Sequence, residues 1–398
     1  MHNRRNFLGD IAKAGLIGLM PSTLKHEYVK APAGIRFLTP PYLQCLTNDS
    51  VIIRWITDAP ASSWVEYGES TTDRKALPEA ELGLLAANTR VHQVVLKGLQ
   101  PGTRYAYRVC SKQIVDFQPY LMTWGDTANS EVFHFTTPAI GAGEVSWIVL
   151  NDIHDRPASF AHLMQHNGKD PYDFVFLNGD MFDFQTDEQQ LIDHLLTPVT
   201  SLFASQTPFM LARGNHETRG KYARQLPEYF NNPGNQYYFS FTRGPVHFIV
   251  LDTGEDKADD HAEYSQLVAF DDYRERQAHW LEQALQRPEF LKAPFRVVMM
   301  HIPVFHSGEG HGSMHCRQLF HPLFNKAGID LMICGHTHRY GVHPADPATH
   351  HYPIVIGGGP KEGRRTLIKV TADRRKLQLR MLGDDGTEVG QYEVKATR

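Results

Sequence analysis

The chain has 398 residues, a formal net charge of −4 and 22 histidines. This length exceeds that of one typical core, so two or three domains are expected. The slightly acidic charge, without a long Lys/Arg run, excludes a protein that binds nucleic acid by bulk electrostatics. An anionic substrate would have to be held by local charge, such as a bound metal.

The first 33 residues have the features of an export signal. Arg4 and Arg5 precede a short, mildly apolar run from Ile11 to Met20, which is too short to span a bilayer stably. The segment resembles a bacterial twin-arginine signal, so a periplasmic or secreted protein is expected. The alternative is a chance Arg pair before an amphipathic helix.

Residues 34–138 have the pattern of a β-sandwich, with short β segments between turn residues. Tyr105, Tyr107 and Val109 fall on one face of a strand by the two-residue period, which is typical of a half-buried sheet. The turn Leu99–Tyr105 resembles a strand entry of fibronectin type III domains, with Tyr105 at the position of a tyrosine corner. We predict a fibronectin III-like sandwich that packs against or orients its neighbour. The clearest strands are predicted at Val51–Ile56, Trp64–Tyr67, Val91–Leu96, Arg104–Cys110 and Val132–Phe135.

Four cysteines are compatible with an oxidising compartment but form no dense disulfide framework. The sequence leaves open whether Cys45 and Cys110 pair. It contains no C-x-x-C motif, which argues against a thiolate zinc site.

Residues 139–398 alternate apolar strands with helical stretches, which indicates an α/β domain. Helices are predicted at Asp187–Leu196 and Asp271–Gln286, the latter with its large apolar residues near one face. Buried strands are predicted at Val145–Leu150, Phe174–Leu177, Phe209–Ala212, His247–Leu251, Arg296–Met300, Leu331–Cys334 and Tyr352–Ile356.

Five polar islands follow five of these strands directly. Strand C-terminal ends are where α/β proteins gather their sites, so we expect the islands to converge on one point. Singly, each island is more often a cap or a satisfied core residue than a ligand; five in series favour a metal site. Their candidate ligands are Asp152, His154, Asp180, Asn215, His301, His336 and His338.

The mixture of carboxylate, imidazole and amide donors suits two divalent or trivalent transition-metal ions such as Fe, Zn or Mn. Two such ions about 3.5 to 4 Å apart clamp a phosphoryl group and generate a hydroxide nucleophile near neutral pH. Asp180 follows Gly179 at a strand end, and we predict that its carboxylate bridges the two ions.

The series D-x-H, G-D-x-x-D, G-N-H-E, H and G-H-x-H is similar to the signature of calcineurin-like metallophosphoesterases and covers about residues 146–340. A β-sandwich in front of it resembles the arrangement of purple acid phosphatases. The resemblance implies an αββα sandwich with a dinuclear site at its rim. It also implies two ligand sets that share Asp180: one with Asp152, His154 and His338, the other with Asn215, His301 and His336.

The same resemblance implies two catalytic residues outside the ligand set. His216 matches a histidine near the leaving group, and a protonated imidazole there would stabilise phosphoryl charge or donate a proton. Asp183 matches the carboxylate that orients this histidine. Glu217 is expected to anchor the loop rather than to react.

Two positions depart from the purple acid phosphatases. His154 stands where their first motif has Gly, and Asp183 stands where their second motif has a metal-binding Tyr. In purple acid phosphatases this tyrosinate is the source of the purple charge-transfer colour. The resemblance therefore implies neither that colour nor a preference for ferric iron in this chain. The protein-phosphatase branch of the family is a poorer match, because no Arg directly follows Asp183.

Substrate contacts are predicted from the glycine-rich stretch Phe305–His315, in which His306 and His311 would close over a phosphate ester; a solvated loop is the alternative. The acidic segment Gly254–Glu263 is interpreted as a surface excursion, and a further loop at the rim of the site is the alternative. Gly357–Gly359 is interpreted as a tight turn, because the Lys and helix of a phosphate-binding loop do not follow it.

The leading interpretation is acid-phosphatase-like hydrolysis of a small phosphomonoester. The alternatives are a phosphodiesterase or nucleotidase of the same family, or a non-catalytic binding protein. Neither a nucleic-acid partner nor a stable membrane span is expected, and the oligomeric state is left open.

Overall fold

The structure, a computed structural model, describes residues 34–397. The predicted export signal, residues 1–33, lies outside the described residues. Ile35–Arg398 form one compact unit. Among residues 34–397, no helix combines the length and the apolar character needed to cross a membrane.

The N-terminal part is a β domain, as predicted. The strands are β1 Tyr42–Gln44, β2 Ser50–Gly68, β3 Arg74–Ala76, β4 Ala80–Glu81, β5 Leu84–Leu85, β6 Ala87–Lys97, β7 Arg104–Phe117, β8 Met122–Asn129 and β9 Phe133–Thr136. The segments predicted at 51–56 and 64–67 are one 19-residue strand, β2, which pairs with β1 and β6 in its first half and with β3 and β7 in its second. An irregularity between Ile56 and Ala61 lets one strand serve both sets of partners.

The predicted face of β7 lies in the core of this domain, but Ala106 and Cys110 on the opposite face are buried as well. Tyr105, Tyr107 and Val109 of β7 are fully buried, in one cluster with Trp55. The hydroxyl of Tyr105 accepts a hydrogen bond from the backbone N–H of Gln100 at 2.8 Å, which ties the strand to the preceding turn. Each large side chain buried in this way contributes about 1.5 to 3 kcal/mol to stability.

Two six-stranded sheets form the second part of the chain, as predicted for an αββα sandwich. Their strands are β10 Glu144–Leu150, β11 Phe174–Asn178, β12 Phe209–Ala212, β13 Phe239–Arg243, β14 Val246–Leu251, β15 Phe295–Met300, β16 Leu331–Cys334, β17 Gly341–His343, β18 Ile354–Ile356, β19 Thr366–Asp373, β20 Lys376–Gly383 and β21 Glu388–Lys395. One sheet has the order β12-β11-β10-β19-β20-β21 and the other β13-β14-β15-β16-β18-β17.

Three apolar clusters define four layers. The middle cluster packs side chains of the first sheet, such as Trp147 and Phe174, against Phe248 and Val297 of the second. Each outer sheet face has its own cluster with the helices that cover it. The helices are α1 Ala158–Met164, α2 Glu188–Leu191, α3 Thr197–Val199, α4 Phe270–Ala284, α5 Pro288–Lys292 and α6 His311–Ala327, with π-helical turns at Ile192–Leu196 and Thr200–Ala204.

Two expectations about loops are wrong. The stretch Phe305–His315 is not one flexible loop, because helix α6 begins at His311. Gly357–Gly359 is not a tight turn: it follows β18 and runs against the ligand loops, where a Cβ on Gly357 would lie 1.9 Å from Asn151 Oδ1. Glycine at these positions lets the backbone lie close to the ligand loops, and the chain turns only after this segment.

Hydrogen bonds join the β domain to the sandwich. The hydroxyl of Tyr42 donates to the carbonyl of Tyr229, and the hydroxyl of Tyr107 donates to the carbonyl of Ser205, each at 2.8 Å. Both tyrosines are buried, so these contacts fix the orientation of the β domain. All four cysteines, Cys45 and Cys110 included, are free.

Candidate dinuclear metal centre

The loops after β10, β11, β12, β15 and β16 bring the predicted ligands together at one edge of the two sheets. Five of these residues have left-handed backbone conformations, which cost about 1–3 kcal/mol each outside glycine and cluster at functional sites. Their φ angles are 53° at Asp152, 50° at His154, 58° at Asp180, 72° at His336 and 56° at His338.

Asp180 lies between two groups of nitrogen donors. Its Oδ2 atom is 2.9 Å from Nε2 of His301 and 3.6 Å from Nε2 of His154. Asp180 can share one ion with His301 and His336, and another with His154 and His216. Asn215 completes the first group, with Oδ1 3.1 Å from Nδ1 of His336.

Asp152 lies at the centre of the second donor group. Its Oδ1 atom is 3.2 Å from Nε2 of His338 and 3.6 Å from Nε2 of His154. The two histidine Nε2 atoms are 3.0 Å apart. Donors directed at one point from two loops are what a bound cation requires.

Buried polar atoms without hydrogen-bond partners indicate that metal ions fit these donors. Within residues 34–397, neither Asp152 Oδ1 nor His301 Nε2 has a hydrogen-bond partner, although both residues are almost completely buried. Nδ1 of His301 donates to the carbonyl of Asn178 at 2.8 Å, which leaves Nε2 facing the Asp180 carboxylate, where it can bind a proton or a metal ion. A buried carboxylate that faces an imidazole nitrogen calls for one of these two cations between them.

The pKa shifts of the site residues also favour bound metal ions. Burial acts to lower the pKa of His301, but Asp180 and Asp152 outweigh it and raise that pKa to about 10. Burial acts to raise the pKa of Asp152, but the neighbouring His154 imidazole and the charge of His301 hold it well below its usual range. Burial lowers the pKa of His336 to about 4. The carboxylates therefore attract positive charge, which bound metal ions would supply.

Glycines let the ligand loops approach one another. A Cβ on Gly179 would lie 2.4 Å from Nδ1 of His301, and one on Gly335 would lie 2.5 Å from Oδ2 of Asp152. The glycines in the G-D and G-H motifs are thus required by packing as well as by the turn.

Glu217 anchors two of the ligand loops, as expected. It is fully buried, and its carboxylate accepts hydrogen bonds from the backbone N–H groups of Asp180, Met181 and Gly214 at 2.6 to 2.8 Å. Asn151, which sequence reasoning missed, plays a similar part: its Nδ2 donates to Asp152 Oδ2 at 2.6 Å and to the carbonyl of Gly358 at 2.8 Å. Its position directly before Asp152 is the only sequence signal.

Asp183 contacts both His154 and His216, and it contacts His216 with a different atom from the one expected. Its carboxylate is 2.9 Å from Nδ1 of His154, which directs Nε2 of His154 into the site. His216 instead donates from Nδ1 to the Asp183 backbone carbonyl at 2.6 Å. The expectation that the Asp183 carboxylate orients His216 is therefore corrected: the carboxylate orients His154, and the backbone carbonyl of Asp183 orients His216.

His216 has a second partner that the sequence did not indicate. Nη1 of Arg219 lies 3.0 Å from Nε2 of His216. Because a guanidinium can only donate, Nε2 must accept, and His216 is neutral here rather than protonated as expected. Burial lowers the pKa of His216, and the charge of Arg219 adds to that effect.

Arg219 is itself held by Glu255. Its Nε and Nη2 atoms donate to the two carboxylate oxygens of Glu255 at 2.9 and 2.8 Å. Glu255 is buried, so the acidic segment is more than the predicted surface excursion. The acidic composition of the segment predicted solvent exposure for Glu255. No local sequence feature indicated that Arg219, which is distant in the sequence, would pair with it.

The predicted substrate residues lie in other histidine groups. The ring of His306 stacks on that of His343 with centroids 3.8 Å apart, and its Nε2 is 3.2 Å from Nε2 of His350. His311 contacts the carboxylate of Asp271 at 2.8 Å. Their predicted contact with substrate stays a prediction.

Comparison with known families gives two matches along the chain. Residues 41–137 match the purple acid phosphatase N-terminal domain, and residues 147–340 match the calcineurin-like phosphoesterases. Acid phosphatase type 7 of Mus musculus is 26% identical over 324 residues, which cover 73% of this chain and 67% of that protein. Probable purple acid phosphatase 20 of Arabidopsis thaliana is also 26% identical, with 75% of this chain and 67% of the relative covered.

A solved structure shares the fold. Purple acid phosphatase PPD1 from yellow lupin (Lupinus luteus) seeds aligns with a TM-score of 0.68 at 17% identity, covering 89% of this chain and 74% of that one. The likeness extends over both the β domain and the sandwich.

Proposed function

Because this chain carries a calcineurin-like phosphoesterase domain behind a purple acid phosphatase N-terminal domain, we propose that it is an exported, metal-dependent phosphatase that hydrolyses phosphomonoesters. Residues 139–398 form the hydrolase domain, and residues 34–138 form the domain that orients it. The observation that carries the proposal is the position of Asp180 Oδ2, which faces His301 at 2.9 Å and His154 at 3.6 Å.

Two ligand sets that share Asp180 would hold the metals. Two transition-metal ions held there would supply the charge that binds a phosphoryl group and lowers the pKa of a water nucleophile. Since Asp183 replaces the tyrosine of purple acid phosphatases and is turned toward His154, we infer a colourless centre without a ferric requirement. The sets are Asp152, His154, Asp180 and His338 for one ion, and Asp180, Asn215, His301 and His336 for the other.

His216 and Arg219 are placed to act on the substrate beside these ligands. Nε2 of His216 is 4.0 Å from Asp180 Oδ2, and the Arg219 side chain keeps 29% of its surface exposed. A phosphoryl oxygen that enters there meets the N–H groups of Arg219, which are suited to bind it. The backbone carbonyl of Asp183 fixes the ring of His216, so that Nε2 faces the entering ester.

Arg219→Lys is expected to lower kcat/KM for a phosphomonoester roughly 10- to 100-fold, because lysine keeps a charge for Glu255 but loses the fork that also reaches His216. Steady-state kinetics on the metal-loaded enzyme measure this. Arg224→Lys, which changes an exposed arginine nearby, is the matched control. Equal kcat/KM in wild type and Arg219→Lys would show that the guanidinium of Arg219 does not act on the substrate.

The preference for monoesters is tested by rates on p-nitrophenyl phosphate and bis-p-nitrophenyl phosphate with Fe, Zn and Mn. We expect the monoester rate to be the higher. A far higher diester rate would make the protein a phosphodiesterase. No hydrolysis of either ester by metal-loaded protein would favour a binding protein.

Export is proposed from Arg4 and Arg5 and the apolar run that follows them. Replacement of both arginines with lysine should keep the protein inside a bacterial host that has a twin-arginine pathway. Fractionation and immunoblotting measure this. Export that is unchanged by the replacement would contradict a twin-arginine route.

A further inference from the structure

A second group of metal-binding side chains lies where helices α4 and α6 begin. His311 and His315 stand one helical turn apart on α6 and therefore share a face of it. Asp271 in the first turn of α4 lies opposite them. None of these three residues belongs to the dinuclear ligand sets.

The three side chains converge as metal ligands do. Nε2 of His311 is 2.8 Å from Asp271 Oδ1, and Nδ1 of His315 is 3.1 Å from the same oxygen. The ligand atoms of all three lie within 4.8 Å of one another. Tetrahedral zinc with bonds of about 2.0 to 2.1 Å places its nitrogen and oxygen ligands roughly 3.4 Å apart, so small adjustments would admit the ion.

Hydrogen bonds alone account poorly for this arrangement. Oδ1 of Asp271 faces His311, His315 and also Nη1 of Arg274 at 2.8 Å. Three donors crowd one carboxylate oxygen that has two lone pairs. A cation between the carboxylate and the two imidazoles would use the nitrogen lone pairs and leave only Arg274 as a donor.

The surroundings hold the group in place. Arg274 is fully buried, and its Nε also donates to the carbonyl of Thr253 at 2.9 Å, so it fixes the Asp271 carboxylate from behind. The start of α6 is pressed against the neighbouring loop: a Cβ on Gly312 would lie 2.3 Å from the carbonyl oxygen of Glu255. His311 therefore extends from a backbone that is fixed by close packing.

We propose that Asp271, His311 and His315 form a third metal site that binds a divalent transition-metal ion. Two imidazoles and one carboxylate suit Zn²⁺, and water would fill the remaining position. The ion would join α4 to α6. It would also steady Arg274, which donates to the carbonyl of Glu255, the residue that holds Arg219.

The test is the number of zinc ions retained per chain. Full-length protein is equilibrated with micromolar Zn²⁺, desalted and analysed by mass spectrometry for metal. The variant His311→Ala/His315→Ala is expected to hold about one ion per chain fewer than wild type and to lose part of the zinc-dependent rise in Tm. Because the result is a difference, it does not depend on whether the dinuclear centre is filled.

His279→Ala is the matched control, since His279 is an α4 histidine with 81% of its side chain exposed. A second variant, His311→Gln/His315→Gln, keeps polar side chains of similar size, and the same loss of one ion is expected. Equal zinc content in wild type and both double variants would overturn the proposal. An equal loss in His279→Ala would overturn it too, because the binding would then be nonspecific.

Discussion

Replacement of Asp180 with asparagine is expected to empty both metal positions together and to lower phosphatase activity about 10³-fold or more. The reason is that Oδ2 of Asp180 faces His301 on one side and His154 on the other. Asparagine keeps the shape of the side chain but removes the negative charge that both ions need. Metal analysis and kcat/KM on one preparation measure the two losses.

Asp260→Asn is the control for this variant, because Asp260 is an exposed aspartate on another loop. It should retain metal and activity. Loss of a single metal in Asp180→Asn, with the other fully retained, would contradict the shared carboxylate. Full activity in that variant would contradict the proposed function as a whole.

The strands and the ligand loops were predictable from the sequence for one physical reason. Buried parallel strands appear as apolar runs, and their carboxyl ends meet at one sheet edge. Asp152 and Asp180 each follow such a run within a few residues, so their convergence could be inferred without coordinates. The short spacing within each motif left little freedom for the loops.

Helix α6 was missed because its first turn is weak in local signals. Gly310, Gly312 and the histidines around them have poor helix propensity, and Pro322 lies inside the helix. Packing of α6 against α4 and the strands beneath provides the stability that propensity does not. Tertiary contact of this kind is not visible in a single sequence.

Partner choice among charged side chains was also beyond the sequence. The atom of Asp183 that meets His216 depends on how two loops cross. The pairing of Arg219 with Glu255 spans 36 positions. Non-local ion pairs of this type are set by the packed fold, and acidic composition alone predicted solvent for Glu255.

The buried carboxylate of Glu217 provides the second large expected effect, because it joins two ligand loops without being a ligand. Three backbone N–H groups, those of Asp180, Met181 and Gly214, donate to it. Glu217→Gln replaces one acceptor oxygen with an NH2 group, which cannot accept a hydrogen bond. A buried donor left unpaired costs about 1 to 3 kcal/mol, so we expect the free energy of unfolding to fall by about that amount.

The same change should weaken metal binding about 10- to 100-fold, because the backbone of Asp180 would no longer be fixed. Urea unfolding and metal titration of Glu217→Gln measure the two effects. Glu228→Gln, at an exposed glutamate in the same region, controls for the loss of a charge. If Glu217→Gln unfolds at the urea concentration of wild type, the carboxylate does not hold the loops. If stability falls while metal affinity stays the same, Glu217 supports the fold but does not position Asp180.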